Sequence, residues 1–331
     1  MNLTVDQASP GGIPGPEDHW PADSLPPELG SARMFRSIRA ARSWLHAQGA
    51  AVTSPDAGAL VKMKPGDGGV PLFMIPGAAG SILQLGPLAD KMPEPMPVYA
   101  IRPRGLNGSE QPCESIRDMA ENGIIAMRAI RPVGPCLLLG YSAGGLVALE
   151  MAQLLTAAGH AVPLVILIDT YPGRRVWPLR CHVEILGRQV VRALWALRRY
   201  SLAGARREVL RRLRSLFDYL AAAGVRALPS LPVLIEGTSA ASRRIYLATY
   251  KAGEAYRPAR YDGKVIFIQP DAVPNLEPRS PEQVWRRFLG NLDVRRVTGT
   301  THSGFVESGA AATAATIREC LRQAGVTYQQ Y

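Results

Sequence analysis

Leu137-Leu-Leu-Gly-Tyr141-Ser142-Ala143-Gly144-Gly145-Leu-Val147 is the most informative segment of this chain. A leucine-rich apolar run drives into Gly-Tyr-Ser-Ala-Gly, and a segment rich in Ala, Leu and Met follows at once. The pattern predicts a buried strand, a tight turn carrying Ser142, and a helix whose N-terminus points at that serine. Such a turn forces the serine into a strained backbone conformation that is tolerable only between small residues. Gly140 and Gly144 provide that room, so the Ser142 hydroxyl is expected to project above the sheet edge.

Outward from this point, strands and helices alternate. Strands are expected at Ala59–Met63, Leu72–Ile75, Val98–Ile101, Cys136–Gly140 and Leu164–Ile168. Helices are expected over Ile82–Lys91, Ser115–Ile130 and Gly144–Ala158. This spacing implies βαβ units, hence an α/β fold with a mostly parallel sheet and helices on both faces. After Pro172-Gly173 the alternation stops, and roughly 174–256 reads as helices alone, interrupted near Pro229 and Pro232. Strands resume at Lys264–Ile268 and Val294–Val297, and a helix closes the pattern over Val306–Gln323. A helical block inserted late in such a sheet is expected to form a lid over the C-terminal strand edge, where these folds bind ligands. Residues 1–30, rich in Pro and Gly, read as a flexible leader without the order of a signal peptide, and 31–58 as an N-terminal helical extension.

Composition narrows the function classes. With 331 residues, nearly half of them hydrophobic, the chain can bury a large core, and no run approaches the ~20 apolar residues of a membrane span. Four scattered cysteines (Cys113, Cys136, Cys181, Cys320) without a C-x-x-C pair argue against a disulfide framework or a zinc site and fit a cytoplasmic protein. The net charge of +11 is concentrated: Arg174–Ser215 holds twelve arginines and two acids, leaving the rest of the chain near neutrality. A nucleic-acid footprint would be distributed differently. Within this segment Val183, Leu186, Val190, Leu194 and Leu197 fall on one helical stripe, and Val209, Leu213, Leu216 and Leu220 on another, with arginines opposite. Three roles fit: a lid with solvated arginines, a docking face for an acidic partner, or a contact with an anionic membrane surface.

A serine hydroxyl is a weak nucleophile unless a base lies within hydrogen-bond reach and an acid orients that base. Of five histidines, His302 alone lies in a loop between the last strand and the last helix, Gly299-Thr-Thr-His302-Ser-Gly304. Chain order serine, acid, histidine is the order of this architecture, which makes His302 the base. Two aspartates can complete the set: Asp169 at the end of the strand after the serine's, and Asp271 one strand later. An oxyanion hole needs two main-chain N–H donors. Ala143, directly after the serine, offers one; the turn Pro76-Gly77-Ala78-Ala79-Gly80 offers the other, from Ala78 or, next to it, Ala79. No metal or cofactor motif is present: the glycine turn lacks the spacing of a phosphate loop.

Taken together, Phe73-Met-Ile-Pro-Gly-Ala-Ala-Gly80, Arg104-Gly105-Leu106, Gly134 to Gly145 and Leu167-Ile-Asp-Thr170 resemble a thioesterase domain of the α/β-hydrolase superfamily, of the kind that ends nonribosomal peptide and polyketide synthases. The resemblance spans about residues 59–325 and is weak through the helical insertion. It implies a free-standing enzyme that releases an acyl, peptidyl or polyketidyl chain from a phosphopantetheine thioester through an acyl-serine, by hydrolysis or cyclisation. It implies an acyl or peptidyl carrier protein as partner, for which the arginine-rich lid is one candidate docking face among the three roles above, and no cofactor beyond the carrier's own. It also selects Asp169 as the acid, whereas stand-alone editing thioesterases place theirs where Asp271 stands. Thr301 replaces the acidic or glycine residue often found before the base. Alternative functions are a carboxylesterase or lipase acting on oxygen esters, and a non-catalytic adaptor that binds carrier proteins or lipid.

Overall fold

The computed structural model describes residues 59–199, 239–271 and 277–326. The leader, the N-terminal extension and the Val209–Leu220 stripe lie outside them.

Seven strands form one sheet: β1 (Leu60–Lys64), β2 (Leu72–Ile75), β3 (Val98–Ile101), β4 (Leu137–Tyr141), β5 (Leu164–Ile168), β6 (Tyr261–Pro270) and β7 (Leu289–Val297). Their order is β1-β3-β2-β4-β5-β6-β7. Only β1 runs antiparallel to its neighbour; β2 through β7 are mutually parallel. The order reverses between β2 and β4, a topological switch point of the kind at which open α/β sheets bind ligands.

The helices are α1 (Gly86–Asp90), α2 (Ile116–Ile130), α3 (Gly144–Ala157), α4 (Leu179–Arg199), α5 (Ala240–Ala255), α6 (Glu282–Trp285) and α7 (Ala310–Gln323). They cover both faces because the strands are apolar on both. Alternate side chains of a strand point to opposite faces. Leu72, Met74, Leu137, Leu139, Ile166 and Ile168 enter one core with α1 and α7, whereas Phe73, Ile75, Leu138, Val165, Leu167 and Phe267 enter the other with α2 and α3. Helix α2 starts at Ser115, whose hydroxyl accepts from the Asp118 N–H at 3.0 Å. Helix α3 is buried through most of its length, from Gly144 to Ala152 and again at Leu155. Its apolar composition marks it as the helix carried closest to the sheet centre.

The alternation expected from sequence is present, with four differences. The helix expected over Ile82–Lys91 is a 3-10 turn at Ile82–Leu85 followed by the short α1. Strands β6 and β7 extend N-terminally well beyond Lys264 and Val294. Both begin with a register irregularity between Tyr261 and Lys264, and β7 lies at the sheet edge with half-exposed residues, so neither beginning has a periodic apolar signature. The short helix α6, which buries Val284 and Trp285, was not legible because a four-residue turn carries no helical period. The expected helix from Val306 starts at Ala310, after a 3-10 turn at Ser303–Phe305.

Between β5 and β6 the described residues are helical: a 3-10 turn at Arg174–Val176, then α4 and α5. Of the apolar stripe read on α4, Leu186 is half-buried. Val183, Val190 and Leu194 are exposed, together with Leu179 and Val191, while Cys181, Ile185 and Gln189 form the buried side. Periodicity located the stripe but could not say which of two apolar arcs meets the core.

Candidate active site

Strand β4 ends at Tyr141 and α3 starts at Gly144, leaving two residues for a reversal of chain direction. Ser142 adopts φ = 54°, in the left-handed region that costs a non-glycine residue ~1–3 kcal/mol. The bend is held by neighbours. The Ser142 N–H donates to the Ile168 carbonyl at 2.8 Å, and its carbonyl accepts from the Thr170 hydroxyl at 2.9 Å. Small residues are demanded by close approach. A Cβ on Gly140 would lie 2.3 Å from Gly145 Cα, and one on Gly144 would lie 2.3 Å from the Pro76 carbonyl oxygen.

The strand beside it makes a second strained bend. Asp169 follows β5 with φ = 46°, and its N–H donates to the Ile268 carbonyl at 2.8 Å, extending the ladder one residue past the strand. This conformation turns the Asp169 carboxylate toward the loop after β7, where Oδ2 lies 2.7 Å from His302 Nδ1. The Asp169 side chain is almost wholly shielded from water (1% exposed), whereas the imidazole retains 42% exposure. Burial disfavours the imidazolium, but the hydrogen bond and charge of Asp169, aided by Glu277, outweigh it, so the His302 pKa lies above the ordinary histidine value. An Nδ1–H donating to Asp169 leaves Nε2 as the free base.

The loop carrying His302 is fixed at both ends. Near its start, Asp271 Oδ2 accepts from the Gly299 N–H at 3.3 Å, and the Asp271 N–H donates to the Val297 carbonyl at 3.3 Å. At its end, the Tyr141 hydroxyl donates to the His302 carbonyl at 3.0 Å, and the two rings lie 5.1 Å apart. Of the two aspartates left open by sequence, Asp169 therefore meets the imidazole and Asp271 holds its loop.

The turn after β2 closes by a Gly80 N–H to Gly77 carbonyl bond at 2.8 Å, with Gly80 at φ = 73°. It runs beside the serine bend: a Cβ on Gly77 would sit 3.4 Å from Ser142 Cβ. Ala78 lies inside this turn, and Ala143 is the N-cap residue of α3. The two alanines are thus on the segments that flank Ser142.

Three further neighbours of the site were not singled out from the sequence as site residues. Thr170 is fully buried and joins the two bends; its carbonyl accepts from the Trp285 indole N–H at 3.0 Å. Tyr141 is the variable residue of the serine motif, and nothing in the motif prescribes a hydroxyl there. Glu277, on the segment between β6 and α6, is an electrostatic neighbour of both Asp169 and His302; burial, then Asp169, push its carboxyl up to about 7. Among the described residues no group of His, Cys, Asp and Glu is arranged to hold a metal ion. The four cysteines are free thiols. No helix among the described residues is long and apolar enough to cross a membrane.

A parallel sheet flanked by helices, with a serine on a strained bend after the central strand and a His–Asp pair beyond the following strands, defines the α/β-hydrolase fold. Residues 70–226 match the family model described as "Thioesterase domain". Within that fold class, the matched segment is similar to the thioesterase domains of nonribosomal peptide and polyketide synthases. The dimodular nonribosomal peptide synthase of Bacillus subtilis is 27% identical over 222 residues, covering 66% of this chain and 9% of the synthase. Microperfuranone synthase of Emericella nidulans is 40% identical over 105 residues, 32% of this chain and 11% of that one. The chain thus spans about a tenth of the length of these curated relatives. Among solved structures, YbtT, a type II thioesterase from the yersiniabactin pathway, shares the fold with a TM-score of 0.54 at 16% identity, covering 82% of this chain and 100% of YbtT.

Proposed function

We propose that residues 59–331 form a serine thioesterase that releases an acyl, peptidyl or polyketidyl chain from the phosphopantetheine thioester of a carrier protein. The observation that carries this reading is the 2.7 Å contact between His302 Nδ1 and Asp169 Oδ2, one strand away from the strained bend that presents Ser142.

In this reading Ser142 Oγ attacks the thioester carbonyl while His302 Nε2 accepts its proton. Asp169 keeps the imidazole in the tautomer whose Nε2 is free and favours the imidazolium that forms. The Ala78 and Ala143 N–H groups receive the developing oxyanion; each such donor is worth ~3 kcal/mol, and Ala143 gains from its place at the start of α3. Collapse of the tetrahedral intermediate expels the thiol, protonated by His302, and leaves an acyl-Ser142 ester. Water, or a hydroxyl or amine of the chain itself, then attacks that ester with His302 as base. The two outcomes use the same protein groups and differ in what the lid admits. No cofactor takes part beyond the arm that delivers the substrate.

The test is a fluorophosphonate probe followed by peptide mapping, paired with product analysis on carrier-loaded thioesters and matched oxygen esters. Labelling confined to Ser142, lost in Ser142→Ala, with turnover favouring carrier-bound thioesters, is expected. A folded protein that resists the probe would remove the enzymatic reading, and a preference for oxygen esters would make the protein an esterase.

A further inference from the structure

The main chain of Ser142 is gripped by the strand end that carries Asp169. Its N–H donates to the Ile168 carbonyl at 2.8 Å, and its carbonyl accepts from the Thr170 hydroxyl at 2.9 Å. The residues on either side of Asp169 thus hold both main-chain polar groups of the serine. The same Ser142 carbonyl accepts from the Gly145 N–H at 3.0 Å, so both of its lone pairs are used. Thr170 Oγ1 also lies 3.2 Å from the Ile168 carbonyl. A hydroxyl has one hydrogen to give, however, and Ile168 already accepts from the Ser142 N–H. The shorter contact, to Ser142, takes that hydrogen.

Thr170 is itself held in place. It is fully buried, and its carbonyl accepts at 3.0 Å from the indole N–H of Trp285, which is fully buried as well. Gly145 stands against its side chain: a Cβ there would lie 2.1 Å from Thr170 Oγ1 and 2.6 Å from Thr170 Cγ2. The start of α3 therefore has no room for a side chain at Gly145, and the threonine fills that space.

A peptide group is planar, and the one joining Ser142 to Ala143 is trans, so the Ala143 N–H points opposite to the Ser142 carbonyl. Tying that carbonyl to Thr170 fixes the direction of the N–H, away from the threonine. We propose that Thr170 is a positioning residue of the oxyanion hole: its hydroxyl sets the plane of the Ser142–Ala143 peptide and so aims the Ala143 N–H. No covalent bond changes and no proton moves. This inference rests on the acyl-serine reading above and adds to it a group that never touches substrate.

The experiment compares wild type with Thr170→Val, Thr170→Ala and Thr170→Ser. It measures kcat and KM on a soluble pantetheine-like thioester, with fluorophosphonate labelling of Ser142 run alongside. It also measures the Ki of an acyl trifluoromethyl ketone, whose adduct with the serine places an oxyanion in the hole. Valine keeps the shape and loses the hydroxyl. Since losing a hole donor outright costs ~10²–10³ in rate, a misaimed one is expected to lower kcat about tenfold or more, with KM within about twofold. The ketone Ki should rise by the same factor as kcat falls. Serine restores the hydroxyl without the methyl and is expected to recover most of the loss, while alanine behaves like valine. A packing role predicts the reverse order, with valine mildest and serine impaired beside alanine. Should valine fail to fold at this tight contact, alanine against serine makes the same comparison. If the loss follows the methyl, if kcat falls without a rise in ketone Ki, or if neither moves, the Thr170 assignment falls while the triad stands. If Ser142 of wild type is not labelled, the reading beneath it falls as well.

Discussion

The hydroxyl of Tyr141 donates to the main-chain carbonyl of His302 at 3.0 Å, and its ring lies 5.1 Å from the imidazole at an interplanar angle of 30°. The residue immediately before the proposed nucleophile is therefore bound to the proposed base, 161 residues later in the chain. The proposed nucleophile and the loop of the proposed base are thus tied to one element: β4, which is buried throughout and ends in Tyr141. Asp271 completes the arrangement from the opposite end of the histidine loop through the Gly299 N–H.

Removing that hydroxyl frees the His302 backbone while leaving the ring stack. Tyr141→Phe is expected to lower kcat about tenfold with little change in KM, since a misplacement of ~1 Å in a reacting group costs rate rather than ground-state binding. Steady-state kinetics on a soluble thioester measure it; an unchanged kcat would mean that the loop holds its place without Tyr141.

The two aspartates should separate by orders of magnitude. Asp169→Ala or Asp169→Asn removes the acceptor of the His302 Nδ1–H and is expected to reduce kcat by ~10³–10⁴-fold. Asp271→Ala withdraws only one bond from a loop that Tyr141 still holds, and a loss under about tenfold is expected. Equal losses, or an active Asp169→Ala enzyme, would reassign the acid.

Activity on the acid side should follow His302. Its folded pKa lies above the ordinary histidine value, so kcat/KM is expected to rise with pH through a limb displaced to higher pH than that of a free imidazole. The sign for stability is the same group read differently. The contribution of the charged His302–Asp169 pair is fully present below the unfolded histidine pKa of ~6.5 and is lost as pH rises through the higher folded value. Asp169→Asn should abolish that dependence, which thermal melts between pH 5 and pH 9 would reveal.

Glu277 should act on stability in a distinguishable window. Its acid form is favoured by the fold, with the carboxyl displaced from 4.5 to about 7. That contribution is complete below the unfolded value and is lost as pH rises toward and through about 7, at most ~3 kcal/mol. Glu277→Gln does not titrate, so its Tm relative to wild type is expected to be higher at pH 8 than at pH 5, by several degrees.

Close packing behind the serine gives a stability test independent of catalysis. Gly140→Ala would place a methyl 2.3 Å from Gly145 Cα and 2.4 Å from the Gly144 carbonyl oxygen, both backbone atoms that cannot swing aside. A loss of ~3 kcal/mol or more in urea unfolding is expected. Gly187→Ala, on α4 with nothing within 4 Å of the new carbon, should instead gain about 0.5–1 kcal/mol from helix propensity.

By itself the sequence determined the α/β class and the position of each sheet strand to within a few residues at its C-terminal end, and it singled out Ser142 and His302 as the pair to propose. These were legible because apolar runs, glycine spacing and chain order are local properties, and burial on both faces leaves continuous hydrophobic strands. The choice between Asp169 and Asp271 was not legible from residues alone. Both end adjacent strands, and only the left-handed backbone at Asp169, fixed by its ladder bond to Ile268, decides which carboxylate turns toward the imidazole. Tyr141, Thr170 and Glu277 were invisible for a related reason. Their roles are set by partners on other strands or helices, at 161, 28 and more than 100 residues of separation, and a hydroxyl or carboxylate has no meaning in a sequence until folding supplies what it faces. The tertiary structure also decided which side of α4 is buried: Cys181, Ile185 and Gln189, with Val183, Val190 and Leu194 exposed. A helix bearing two apolar arcs can satisfy the core with either, and only packing against the sheet selects one.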